Sequence, residues 1–210
     1  MSEYGDRTGD TPREGLRKSR LADYAETHGI EGVEREFARV SGRPEIDPDT
    51  PVLAYVAVSP NSDPEAYANR LRKVSAGVFA LAAHADFDED EVSVDSLPGW
   101  FVQICEGGAA ADPLAVEGRA RYTERTGEGP WEVQDWLSRF DPELEARGWA
   151  FWDLTRSADG SGRLNLWLDT WGEPFFSWEE LRWLLYTCGA DSVADPVVTK
   201  SDSWAQEQSA

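Results

Sequence analysis

From Trp149 to Gly189 the chain reads WAFWDLTRSADGSGRLNLWLDTWGEPFFSWEELRWLLYTCG. Leu164, Leu166 and Leu168 alternate with Asn165, Trp167 and Asp169, and a period of two marks a strand with one buried face. Trp149 to Arg156 is a second aromatic run, and the turn-forming residues 158–162 separate the two. The stretch therefore predicts a β-hairpin with a longer loop. If Thr155 pairs with Arg163, Trp152 and Leu154 share the leucine face. Trp149, Phe151 and Asp153 then lie on the other face beside Asn165, Trp167 and Asp169. A slip of one residue would exchange the faces.

Ser177-Trp178-Glu179-Glu180 has the pattern of a capping box, with Phe176 and Leu181 at the staple positions. Leu181, Leu184, Leu185 and Cys188 form one helical stripe, and Gly189 is the expected stop. Hairpin and helix should pack on each other.

Outward from this unit, the chain predicts further strands and helices. Residues 31–41 give a helix with Val33, Phe37 and Val40 on one stripe. Residues 51–58 (PVLAYVAV) are apolar on both faces, as in a strand covered on both sides. Ser62 or Asp63 can cap a helix whose stripe is Tyr67, Leu71, Val74, Val78 and Leu81. Trp100 to Cys105 (WFVQIC) reads as another buried strand. Asp112-Pro113 and Asp141-Pro142 look like helix starts, and Trp131 to Phe140 is amphipathic. Residues 193–198 add an edge strand limited by Pro196.

The order predicts an α+β fold with a single mixed or largely antiparallel sheet, helices mainly on one face, and the C-terminal hairpin plus helix. The domain division is a disordered tail at 1–15, a helical segment at 16–44, an α+β domain at 45–200 and a disordered tail at 201–210. The motifs identify no family.

The net charge is −20, from 40 Asp and Glu against 20 Lys and Arg. It is uneven: residues 45–118 hold fourteen acids and three bases, a net of −11, and residues 119–210 hold seventeen and nine, a net of −8. Direct nucleic-acid binding is disfavoured, because it needs Lys and Arg to replace counterions. A basic protein partner, or simple solubility, suits the sign better. No apolar run is long enough to span a membrane and the N-terminus is polar, so the reading is cytoplasmic. The Arg-rich, Lys-poor composition suggests a bacterial source. Cys105 and Cys188 lack metal or redox spacing and read as reduced, buried thiols.

Catalytic motifs are absent, and no cofactor is implied. The acidic run at residues 86–91 lacks the Gly and Glu that a calcium loop needs at its sixth and twelfth places. It reads as a solvated loop. His28 and His84 sit at helix ends, where the dipole favours them.

The candidate site is the face of the hairpin opposite the leucines. Trp167 and Trp171 should be partly exposed there, beside Asp153, Asp169 and Glu173. Such a face suits a non-enzymatic binder of a basic partner, resembling an immunity protein or inhibitor in its logic. The alternative is a small-molecule or glycan-binding enzyme that uses the carboxylates as a pair among tryptophans.

Overall fold

The computed structural model describes residues 29–45, 48, 50–89, 91–108, 112–144 and 146–210. The expected tail at 1–15, the first part of the 16–44 segment and His28 lie outside these residues.

The chain builds α1 (Ile30–Ser41), β1 (Val52–Pro60), α2 (Pro64–His84), α3 (Gly99–Cys105), α4 (Pro113–Thr126) and α5 (Val133–Ser138). The hairpin β2 (Ala150–Arg156) and β3 (Leu164–Asp169) follows, then α6 (Glu179–Thr187), β4 (Ala190–Val193), β5 (Val197–Lys200), α7 (Asp202–Ala205) and β6 (Gln208–Ser209). This is an α+β fold with one antiparallel sheet in the order β4-β1-β3-β2-β6. β5 lies along the same side of β1 as β4, after a break at Ala194-Asp195-Pro196. No helix among the described residues is long and apolar enough to cross a membrane.

The main core lies between one sheet face and helices α1 to α6. Ala54, Val56 and Val58 of β1 meet Leu154, Leu164, Leu166 and Leu168 of the hairpin, and α2 adds Tyr67, Leu71, Val74 and Val78. α2 follows its sequence pattern closely. Asp63 caps it by accepting from Ala66 N at 3.0 Å, with Pro64 in the first turn. Asp112 caps α4 in the same way on Ala115 N, at 3.0 Å.

Several local expectations are corrected. Trp100 to Cys105 is not a strand but most of helix α3. Phe101, Ile104 and Cys105 are buried, a spacing of three and four that fits one helical stripe. Residues 141–144 and 146–148 form turns and bends rather than a helix. The face of α1 is rotated: Phe37 is 42% exposed, while Glu36 is fully buried. Glu36 turns inward because Arg147 meets it with two hydrogen bonds, at 2.9 and 2.7 Å, and Phe151 N adds a third at 2.7 Å. A buried charge is tolerated only when paired and hydrogen-bonded in this way. The bond to Phe151 N also satisfies a donor on the edge of β2, so α1 closes that edge.

The hairpin register is Thr155 with Asn165, Leu154 with Leu166 and Asp153 with Trp167, a shift of two from the predicted pairing. A shift of two preserves the faces, and the leucines point to the core as expected. Beyond Asp153 a β-bulge intervenes, and Phe151 pairs with Leu168. The extra residue, Trp152, therefore moves to the outer face, while Phe151 and Trp149 join the main core. The capping box also fails. Glu180 is fully buried, accepts from Trp149 Nε1 at 2.6 Å and does not reach back to the helix start. Ser177 instead donates to Glu179 at 2.7 Å.

Candidate functional site

The outer face of the sheet carries the residues singled out for binding, and it is covered. Residues 201–210, expected to be a disordered tail, lie across it as α7 and β6. Trp204 is 3% exposed and joins Leu53, Trp152 and Trp167 in a second apolar cluster. Its ring meets Trp152 edge-on at 5.7 Å, and its Nε1 donates to Asp153 Oδ2 at 2.7 Å. Ala210 N donates to Leu154 O, and Gln208 pairs with Arg156, which extends the sheet. Arg43 donates to the carbonyls of Trp204 and Glu207, and Arg72 donates to the Ala210 carbonyl at 2.7 Å. A single tryptophan in the polar run SDSWAQEQ was the one signal in the sequence that this segment packs.

The exposure expected of Trp167 is thus corrected: it is 1% exposed, and Asp153 is 2% exposed. Asp153 is held from both sides, since its Oδ1 accepts from Leu154 N at 2.8 Å. Burial is the largest influence on its carboxyl and raises it above the usual range, against the opposing hydrogen bonds from Trp204 and Leu154. Asp169 ends β3, Trp171 and Glu173 lie in the turn that follows, and all three are half-buried. Asp169 accepts from Trp171 N at 2.9 Å, and Trp171 has a left-handed φ of 52°. These three residues shape a tight turn, and they do not join Asp153 and Trp167 on one open surface. For the same reason the two carboxylates Asp153 and Asp169 present no shared open cleft for acid catalysis.

Sequence reasoning missed Glu207. Its carboxylate gathers donors from the outer face: Thr155 Oγ1 at 2.5 Å, Asn165 Nδ2 at 2.7 Å and Trp167 Nε1 at 3.1 Å. An open cavity of about 260 Å³ lies beside it, lined by Tyr55, Trp167, Asn165, Glu207, Thr199 and Ser203 among others. Tyr55 packs against Trp167 with ring centroids 5.1 Å apart.

The second distinctive surface is the loop between α2 and α3. Asp86, Asp88, Glu89, Glu91 and Asp95 are exposed. Val92, between them, and Leu97, just after them, are buried, and Phe87 and Val94 pack on the main core. The Gln134 amide bonds Val92 twice, taking N–H at 3.1 Å and giving to C=O at 3.0 Å. That link sets the loop against α5, where Glu132 and Asp135 are also exposed. None of these seven carboxylates has an Arg or Lys partner in an ion pair among the described residues, whereas Arg70, Arg121, Arg147, Arg163 and Arg182 pair elsewhere.

Among the described residues no group of three or more His, Cys, Asp or Glu side chains is placed to hold a metal ion. Cys105 and Cys188 are buried, and burial pushes both thiols up to about 12, far from reactive thiolate. No protein-family model, curated protein or solved structure matches this chain.

Proposed function

We propose that this chain is an acidic, non-enzymatic binding protein that occupies the basic surface of a macromolecular partner, in the manner of an immunity protein or inhibitor. One observation carries the reading. Asp86, Asp88, Glu89, Glu91 and Asp95 project from a backbone pinned by interspersed apolar side chains and by Gln134, next to Glu132 and Asp135, and none of these acids has an Arg or Lys ion-pair partner among the described residues. A fixed surface of one sign needs little reordering on binding and steers a cationic partner at long range. The binding residues are therefore these acids rather than the covered hairpin face. The reading sets the protein in the cytoplasm, where Cys105 and Cys188 stay reduced.

The test uses the partner recovered by affinity capture at low salt, with association measured by surface binding kinetics. Charge reversal at Asp88, Glu89 and Glu91 should slow association by roughly tenfold or more, and salt should slow the parent protein steeply. A control reversal at Glu31 and Glu34, on the outer side of α1, should have little effect. Equal effects from the two sets, or an affinity indifferent to salt, would overturn the reading.

A further inference from the structure

The cavity beside Glu207 lies far from the acidic loop. Its β2–β3 end is next to the start of α2, where Gly162 faces Pro64, and the loop follows the end of α2. A helix of 21 residues is about 30 Å long, so one small ligand cannot touch both places. We infer that this cavity is a second, independent binding site, which takes the guanidinium of an arginine side chain presented by a peptide or protein segment.

Charge points to a cation. The Glu207 carboxylate is half-buried, and among the described residues it takes hydrogen bonds only from neutral donors. Among the described residues no Arg or Lys forms an ion pair with it. Among the described residues its negative charge at the cavity is therefore not paired with a cation, and an anionic ligand is disfavoured. Arg163 also reaches the cavity, but its guanidinium is already committed to Asp159 and to Ser161.

Shape and acceptor chemistry favour guanidinium over ammonium. Asn165 spends its Nδ2 on Glu207 Oε1, which leaves its carbonyl oxygen as a neighbouring acceptor. Ser203 and Thr199 add hydroxyl oxygens. A planar fork of five donors can serve such a spread of acceptors while lying on the Tyr55 ring. The molecule uses this pairing internally: Arg39 lies 4.0 Å from the Trp152 ring centre, Arg70 lies 3.9 Å from Trp100 and Arg182 lies 4.0 Å from Trp178. At about 260 Å³ the cavity is just below the roughly 300–1,000 Å³ range of sites for drug-sized ligands, so it suits a single side chain.

The test is a titration of the folded, isotope-labelled protein with three blocked tripeptides, Gly-Arg-Gly and its citrulline and lysine counterparts, followed by NMR. The arginine peptide should give saturable shifts at the Asn165 side-chain amide and at the Tyr55 and Ser203 backbone amides. Citrulline, a neutral isostere, should bind at least tenfold more weakly, and lysine should fall between. Glu207→Gln should cost tenfold or more in affinity. Should that variant unfold, Tyr55→Ala, which leaves the carboxylate in place, should still weaken the arginine peptide severalfold. Neutralising Asp88, Glu89 and Glu91 should leave these shifts unchanged, so failure here and failure of the acidic-loop reading are separable. Equal binding of arginine and citrulline, no saturable shift, or shifts confined to the 86–95 loop would overturn the inference.

Discussion

Glu180 shows how one buried carboxyl couples folding to pH. It is fully buried, Trp149 donates to its Oε1, and the Arg139 Nε lies 3.7 Å from its Oε2, just too far for a hydrogen bond. Burial is the largest influence on it and pushes its carboxyl up, and the contacts from Trp149 and Arg139 oppose this only in part. The folded protein therefore holds a proton over a pH range in which the unfolded chain has released it. The stability from this group is full below the unfolded value of about 4.3 and is lost as pH rises through the raised folded value. Lowering the pH from 7 to 5 should thus raise the melting temperature. Glu180→Gln keeps an uncharged acceptor for Trp149 and should flatten that dependence, as calorimetry at several pH values would show. An unchanged slope in the variant would mean that Glu180 is ionised in the fold across this range. Asp153 is raised for the same reason, which makes the variant's change in slope, rather than the parent's slope alone, the informative quantity.

Between elements, α4 and α6 approach closely at Gly118. A Cβ added at Gly118 would lie 1.9 Å from the Tyr186 carbonyl oxygen and 2.6 Å from its carbon, both backbone atoms that cannot swing aside. Gly118→Ala should force the helices apart and cost about 1–3 kcal/mol, the range for overpacking. Gly99, at the start of α3, has nothing within 4 Å of the same added atom. There the substitution replaces a poor helix former by a good one and should be neutral or slightly stabilising. Urea denaturation of the two variants checks both, and a Gly118→Ala midpoint equal to the parent's would refute the packing argument. Tyr122 and Trp183 meet edge-on at 5.1 Å across this same contact, which is where the loss should be felt.

Over the whole molecule, the net charge of −20 works against compaction. Many arginines are drawn into internal pairs, with Arg147 on Glu36 buried and Arg70 on Asp112 partly so. Repulsion among the remaining surface acids is screened by salt over about 8 Å at physiological ionic strength. Raising sodium chloride from about 50 to 500 mM should therefore increase the melting temperature, the opposite of what it does to association with a basic partner. A melting temperature that falls with salt would mean that surface ion pairs contribute more than self-repulsion costs.

Much of the architecture was legible without coordinates. The leucine alternation in β3, the stripe of α2 and the Asp-Pro starts of α2 and α4 are patterns of neighbours in the chain, and local geometry alone sorts them into strand, helix and cap. The α+β class follows from their order. What escaped depended on partners distant in sequence. Glu36 rather than Phe37 faces inward because Arg147 waits 111 residues away. The bulge at Trp152 is visible only once β3 is aligned beside β2. Five apolar residues among 100–105 suit either a strand or a helix until the core offers them one side. The intended binding face was lost to residues 201–210, whose polar composition hides one tryptophan and one glutamate with acceptors and donors already waiting on the sheet. Local pattern determines which face of an element is apolar. Only the tertiary structure decides whether a polar face meets water or another part of the chain, because a buried polar group is stable only where a partner satisfies it.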